Sequence, residues 1–187
     1  TTAGRASLRS WVVPGGVDTP LSAADRDAIL AAIPDALAAT SRALDWYTGS
    51  VERWADEAAR FGAFPSAFLA LVGPDGEPEH YDGRLRVVDA DGHRLADDLD
   101  PRPYGTYFGE AVEPWSYLKS VYWRELGYPD GVYRVGPLAR INVADRMGTP
   151  RADEALAAFR ARLGPIPVSS FHYHHARLID TLHCLEK

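Results

Sequence analysis

The chain has 187 residues, 46% of them hydrophobic and 25% charged, with a formal net charge of −6. That length and mix describe a folded domain of ordinary size or a tight pair of small ones, and the acidic balance excludes a sequence-independent nucleic-acid binder, which needs a basic surface. A single cysteine, Cys184, excludes an internal disulfide, a four-cysteine zinc site and an iron–sulfur cluster held on the chain's own thiolates.

No stretch approaches the roughly 18 apolar residues of a membrane helix; an apolar run such as Ala67 to Val72 is far too short. The start, Thr1-Thr2-Ala3-Gly4-Arg5, has no initiator Met and no apolar segment of the signal-peptide kind. With a helical pattern still running at Leu185-Glu186-Lys187, the chain reads as a piece of a longer protein.

In chain order, residues 1–21 read as a loop turned by Pro14-Gly15-Gly16. Ser22 is an N-cap with Asp25 three residues on, a capping-box-like start. A long helical stretch runs from there to about Arg60. Its apolar residues, among them Ile29, Ile33, Leu37, Leu44 and Val51, recur at helical spacing. Pro34 is expected to kink or split this stretch and Gly62 to end it. Ala67 to Val72 reads as a buried strand and Gly73-Pro74-Asp75-Gly76 as a turn. Alternation from Arg84 to Asp89, with a hairpin signal at Asp91-Gly92, makes 67–98 a small antiparallel sheet. Residues 99–136 are rich in Gly, Pro and aromatics and carry no clear period. Thr149 as N-cap and Pro150 at N1 open a helix to about Leu163, Gly164-Pro165-Ile166-Pro167 breaks it, and Ser170 caps a final helix. The fold class is therefore α+β, packed helices with a small antiparallel sheet. The organisation is a loop plus a long kinked helical segment (1–66), the sheet (67–98), and an irregular segment with a strand-to-helix corner and the last helices (99–187), together one structural unit.

Several groups carry candidate chemistry. His172 and His175 share a helical face at i, i+3, beside His174 and His183. They could hold zinc with His80 or an acid as third ligand, or be ordinary polar residues of an interior or interface. Asp97, Asp98 and Asp100 read as a solvated acidic loop. Glu110 and Glu113 could form an acid–base pair, although spacing alone does not require it. Cys184, mid-helix beside Leu182 and Leu185, reads as a buried small hydrophobe. In Tyr133-Arg134-Val135-Gly136-Pro137-Leu138-Ala139-Arg140, Gly-Pro permits a strand-to-helix corner. The two flanking arginines suit a carboxylate or other anion, or ion pairs to neighbouring helices.

That last stretch is similar to a signature of nickel–iron hydrogenase large subunits, carried here by Gly136, Pro137, Leu138 and Arg140. Pro14-Gly15-Gly16-Val17 and Glu110-Ala-Val-Glu-Pro-Trp115-Ser116-Tyr117-Leu118-Lys119 also resemble family segments. Tyr81 to Asp89, Thr149-Pro150 and His175 to Asp180 fit the cytoplasmic, NAD(P)-linked branch. Leu8-Arg9 stand where members usually have His-Pro.

The resemblance implies a central scaffold segment of such a protein, with helices beneath the metal site and a peripheral sheet. The parent reaction is reversible H2 oxidation coupled to NAD(P) through iron–sulfur subunits. Members hold nickel and iron on two Cys-x-x-Cys pairs, and this chain has neither. No cofactor is then expected in the chain itself, the nickel–iron centre and a magnesium ion belong to a complete parent, and the chain alone is expected to be inactive. By the same resemblance Glu110 and Lys119 would order waters around a magnesium ion, or else form an internal ion pair.

The implied partners are diaphorase-type subunits and the small iron–sulfur subunit, with no nucleic acid and no membrane, and an excised piece would self-associate through uncovered apolar surface. Two other readings stand beside this one. One is a complete, metal-free, divergent interaction or assembly module presenting Trp11, Trp46, Trp54, Trp115 and Trp123 to a partner. The other is a small histidine-based zinc protein.

Overall fold

The structure, a computed structural model, describes residues 12–187. Leu8, Arg9 and Trp11 lie outside the described residues, as does the first half of the loop expected over 1–21. Two compact units are present, one ending at Ala39 and one running from Thr40 to Lys187.

In the first unit, β1 (Val12–Val13) pairs antiparallel with β2 (Gly16–Val17) around the Pro14-Gly15 turn. Gly15 at φ 90° needs the freedom of glycine there. The expected cap at Ser22 is present. Its Oγ accepts from the Asp25 N–H at 3.1 Å and donates to Asp25 Oδ2 at 2.6 Å. This opens α1 (Ala23–Val51), which runs through Pro34 without a break. A proline removes one N–H bond from the ladder, and the Ala- and Leu-rich turns on either side re-form the helix around it. The interruption comes instead after Gly49-Ser50, both weaker helix formers than the residues before them. There a 3₁₀ turn (Glu52–Trp54) leads into α2 (Ala55–Arg60), and Gly62 at φ 56° turns the chain away.

The rest of the second unit is built on β3 (Ala67–Val72), the expected buried strand. It pairs antiparallel with β4 (Pro78–Glu79) and β5 (Arg84–Val88), and β5 pairs with β6 (Arg94–Leu99). The sheet is not wholly antiparallel, nor confined to 67–98. β9 (Tyr133–Arg134) lies parallel to β3, with Ala67 opposite Tyr133. Between them, the segment without clear periodicity holds a single helical turn, α3 (Tyr104–Tyr107), and a second hairpin. That hairpin pairs β7 (Phe108–Val112) with β8 (Lys119–Trp123), Phe108 opposite Trp123.

Alternation along β3 gives two faces. Ala67 and Leu69 join a cluster with Val87, Trp123, Tyr107, Phe108 and Tyr133. The other face carries Phe68, Ala70 and Val72, all buried, and α4 (Pro137–Val143) packs against this strand. Every α4 residue except Arg140 is buried, including Asn142, whose side-chain N–H donates to the Pro167 carbonyl at 3.0 Å. Against α4 and α5 (Pro150–Leu163) packs α6 (Tyr173–Glu186). The expected bounds of α5 hold, with Gly164 at φ 87° as its stop. The final helix begins differently from expectation. Ser169, not Ser170, is the cap: its Oγ accepts from the Phe171 N–H, and it opens a 3₁₀ turn (Ser170–His172) before α6 starts at Tyr173.

Candidate functional site

The Gly136-Pro137 corner is where sequence and chemistry meet. Gly136, at φ 86° and ψ −163°, turns β9 into α4, and Pro137 takes the first helical position. The two arginines flanking it do different work. Arg134 donates to the backbone carbonyls of Val168, Gly62 and Phe64, with its guanidinium 3.9 Å from the centre of the Phe64 ring. It ties two loops, 61–66 and 164–169, to β9. Arg140 forms a two-point pair with Asp180 of α6, at 3.0 Å and 2.5 Å. Of the two uses expected for these arginines, carbonyl clamping and an interhelix ion pair are what the fold makes of them.

Asp180 also faces His80, which follows β4: His80 Nε2 is 3.5 Å from Asp180 Oδ1 and 3.9 Å from Cys184 Sγ. Asp180 and Cys184 are i, i+4 on α6, so they share a face. The His183 ring stacks on His80 at 6.0 Å. This corrects two expectations. Cys184 is exposed rather than buried: it lies one turn beyond the buried Asp180, at the solvent edge of the helix, while His183 points inward. And His80 does not join His172 and His175. Those two are buried at the edges of Phe159, 6.2 Å and 4.8 Å between ring centres. Burial, the neighbouring His172 and the Arg162 charge push His175 down to about 4. An imidazole held neutral in an aromatic packing site is a core residue, and neither histidine belongs to a group of converging metal-ligating atoms among the described residues. The His80–Asp180–Cys184 group escaped sequence reading because its members lie 104 residues apart. The one available signal was the i, i+4 spacing of Asp180 and Cys184.

The other acidic candidates are all partnered. Asp97 and Asp98 lie in β6, not in a solvated loop. Arg86, 6% exposed, donates to Asp97 Oδ1 at 2.7 Å and to Asp145 Oδ2 at 3.1 Å, and Arg94 bridges the same two carboxylates. Burial pushes the Asp97 carboxyl up, but the arginines outweigh it and hold it below its ordinary value. Arg84 takes Asp98, and Arg102 takes Asp100, whose carboxyl its hydrogen bonds lower to about 2. The charge run needed its arginines because a strand, unlike a loop, brings it beside β5.

Glu110 and Glu113 do not face each other as an acid–base pair. Lys119 Nζ donates to Glu110 Oε2 at 2.6 Å across the β7–β8 ladder, and the Tyr128 hydroxyl donates to Glu113 at 2.6 Å. The Glu110–Lys119 pair is exposed on both sides rather than internal. Hydrogen bonding to Glu110 holds the Lys119 ammonium above its usual range. Glu110 belongs to no group of three converging metal-ligating side chains among the described residues, and its partner there is the Lys119 ammonium. Nor can these residues hold a nickel–iron centre: the chain has one thiol, and it faces His80 and Asp180. Of the tryptophans expected to face a partner, Trp46, Trp54 and Trp115 are exposed, while Trp123 is 2% exposed in the core between Tyr107 and Phe108.

No helix among the described residues is long and apolar enough to cross a membrane. No family model matches the chain. Its sequence is 37% identical over 182 residues to the NAD-reducing hydrogenase HoxS subunit beta of Cupriavidus necator, covering 93% of this chain and 37% of that protein. It is 38% identical over 175 residues to a subunit of the vhu F420-non-reducing hydrogenase of Methanococcus voltae, covering 94% and 41%. Its fold matches a chain of the crystal structure of an NAD+-reducing [NiFe]-hydrogenase in the H2-reduced state. That match has a TM-score of 0.84 and 40% identity, over 93% of this chain and 39% of that one. The chain thus spans about two fifths of the length of these relatives. Their names correct the large-subunit assignment drawn from the sequence: one relative is the beta subunit of HoxS, the other a vhu hydrogenase subunit, and neither is named a large subunit. The α+β fold with small sheets stands, as that of a hydrogenase subunit. Along more than nine tenths of its length, the chain is related to subunits of NAD-reducing and F420-non-reducing hydrogenases.

Proposed function

We propose that the chain is a structural segment of one subunit in a hydrogen-oxidising complex that delivers electrons to NAD+ or another acceptor, and that the redox centres are held elsewhere in that complex. The single observation that carries this is the match to the NAD+-reducing hydrogenase at a TM-score of 0.84 and 40% identity over 93% of the chain. A lone thiol supports the second half of the reading, since metal clusters of this chemistry need several.

The local work of the segment is rigid support. The Arg134 clamp, the Arg140–Asp180 pair and the buried Arg86 network each lock elements distant in sequence. The β7–β8 hairpin supports the partner half of the proposal. Its tip exposes Val112, Trp115, Tyr117 and Leu118, with Tyr117 96% exposed, an apolar surface that suits burial against another part of the complex. Lys119 and Glu110 lie on the same hairpin, where they would order water at that junction. A hydrogen-uptake assay of the purified chain with a dye acceptor tests the reading: no turnover is expected, and turnover would overturn it.

A further inference from the structure

We propose that His80, Asp180 and Cys184 form a three-ligand site for a borderline divalent cation, zinc by preference, with solvent as fourth ligand. The ligand atoms all lie within 4.8 Å of one another. Tetrahedral zinc, with bonds of about 2.0–2.3 Å, holds its donor atoms about 3.3–3.8 Å apart. The His80 Nε2 separation of 3.5 Å to Asp180 Oδ1 is already at that spacing, and the 3.9 Å to Cys184 Sγ lies just outside it. Little movement is needed to close on an ion.

The donor set chooses the metal. Nitrogen, carboxylate oxygen and thiolate sulfur together suit zinc and cobalt, whereas magnesium and calcium take oxygen. The three ligands are held in place from outside. Arg140 fixes the Asp180 carboxylate by two hydrogen bonds, which is the kind of partner that orients a metal-ligating group. His80 follows directly on β4, and its N–H donates to Glu79, which Lys187 in turn holds at 3.0 Å. Beside the group lies His183, 1% exposed, stacked on His80 at 20° and with neither ring nitrogen hydrogen-bonded. A buried imidazole without partners next to converging N, O and S atoms marks a polar pocket with unmet capacity. His80 and Cys184 both reach solvent, so an ion has a way in. On binding, the thiol gives its proton to solvent as the metal–sulfur bond forms. The ion would then staple the end of β4 to α6.

The test is a cobalt(II) titration of the 187-residue chain, followed by zinc competition. One equivalent of cobalt should bind, with a thiolate-to-cobalt charge-transfer absorption that zinc abolishes. Cys184→Ser should remove that absorption, and His80→Ala should weaken binding by about tenfold or more. Both positions are exposed, and circular dichroism of each variant confirms its fold. Three outcomes overturn the proposal: no cobalt uptake, thiolate absorption with affinity unchanged in His80→Ala, or binding without thiolate absorption. The last would place the ion on the exposed Asp89, Asp91 and His93 group instead. None of these outcomes bears on the hydrogenase reading.

Discussion

Arg140 of α4 grips Asp180 of α6 at two points, Nε to Oδ1 at 3.0 Å and Nη2 to Oδ2 at 2.5 Å, and Asp180 is 7% exposed. Removing the arginine strands a nearly buried carboxylate. Arg140→Met should cost about 3 kcal/mol of unfolding free energy in urea. The double variant with Asp180→Asn should recover part of that loss, since no charge is then left unpaired. A loss below about 1 kcal/mol in the single variant would mean that water already solvates the pair.

Arg134 tests a different kind of contact. Its fork reaches the carbonyls of Val168, Gly62 and Phe64 at once. Burial depresses its ionisation below the ordinary arginine range, so the charge is held there at a cost that the carbonyls offset. A lysine keeps the charge and loses the fork. Arg134→Lys should therefore destabilise by about 2 kcal/mol, as two hydrogen bonds to a charged group are lost. Equal stability of the lysine variant would show that charge alone matters.

Gly136 separates backbone strain from crowding. A Cβ there would meet Tyr173 at an ordinary 3.6 Å, but φ is 86° with ψ −163°. Gly136→Ala should lose about 1–3 kcal/mol by thermal or urea unfolding, from conformation alone. Gly49, inside α1 with open space around it and no positive φ, should respond with the opposite sign. Gly49→Ala should gain about 0.5–1 kcal/mol.

His175 gives the fold a pH dependence. Its imidazole titrates near 4 in the folded chain, against 6.5 for an unperturbed histidine. Between those values the unfolded chain binds the proton and the folded chain does not, so stability is complete above about pH 6.5 and falls as pH drops towards 4. The shift corresponds to a loss on the order of 3 kcal/mol. His175→Gln should flatten this part of the pH–stability curve. An unchanged slope between pH 6.5 and 4 in the variant would assign the effect elsewhere.

Local signals in the sequence carried far. Ser22 with Asp25, Pro150 at the first position of α5, Gly164 and the Gly136-Pro137 corner each sit where the chain needs that residue's φ or hydrogen bond, whereas Thr149 stands at the start of α5 without its hydroxyl capping the helix. The parallel pairing of β9 with β3 did not show, because 66 positions separate Ala67 from Tyr133 and two residues make no period. The β7–β8 hairpin was hidden by its aromatics, which alternate in packing rather than in polarity. Pro34 does not split the helix, because the helical propensity of its neighbours outweighs one missing N–H. The acidic run misled because Arg84 and Arg86, two of its partners, lie across the hairpin on β5, although Arg94 and Arg102 stand beside the run in sequence. The candidate metal group was invisible for the same reason: a helix face supplies two ligands, and only the fold brings His80 to them.

We propose this chain as a structural segment of a hydrogenase subunit. The most direct test replaces the matching segment of the beta subunit in the Cupriavidus necator enzyme with these 187 residues, then measures H2-dependent NAD+ reduction by the purified complex. An assembled complex with measurable H2-dependent reduction is the expected result. A complex that assembles with the chain folded and in place yet reduces no NAD+ with H2, or a folded chimera that binds none of the other subunits, would contradict it.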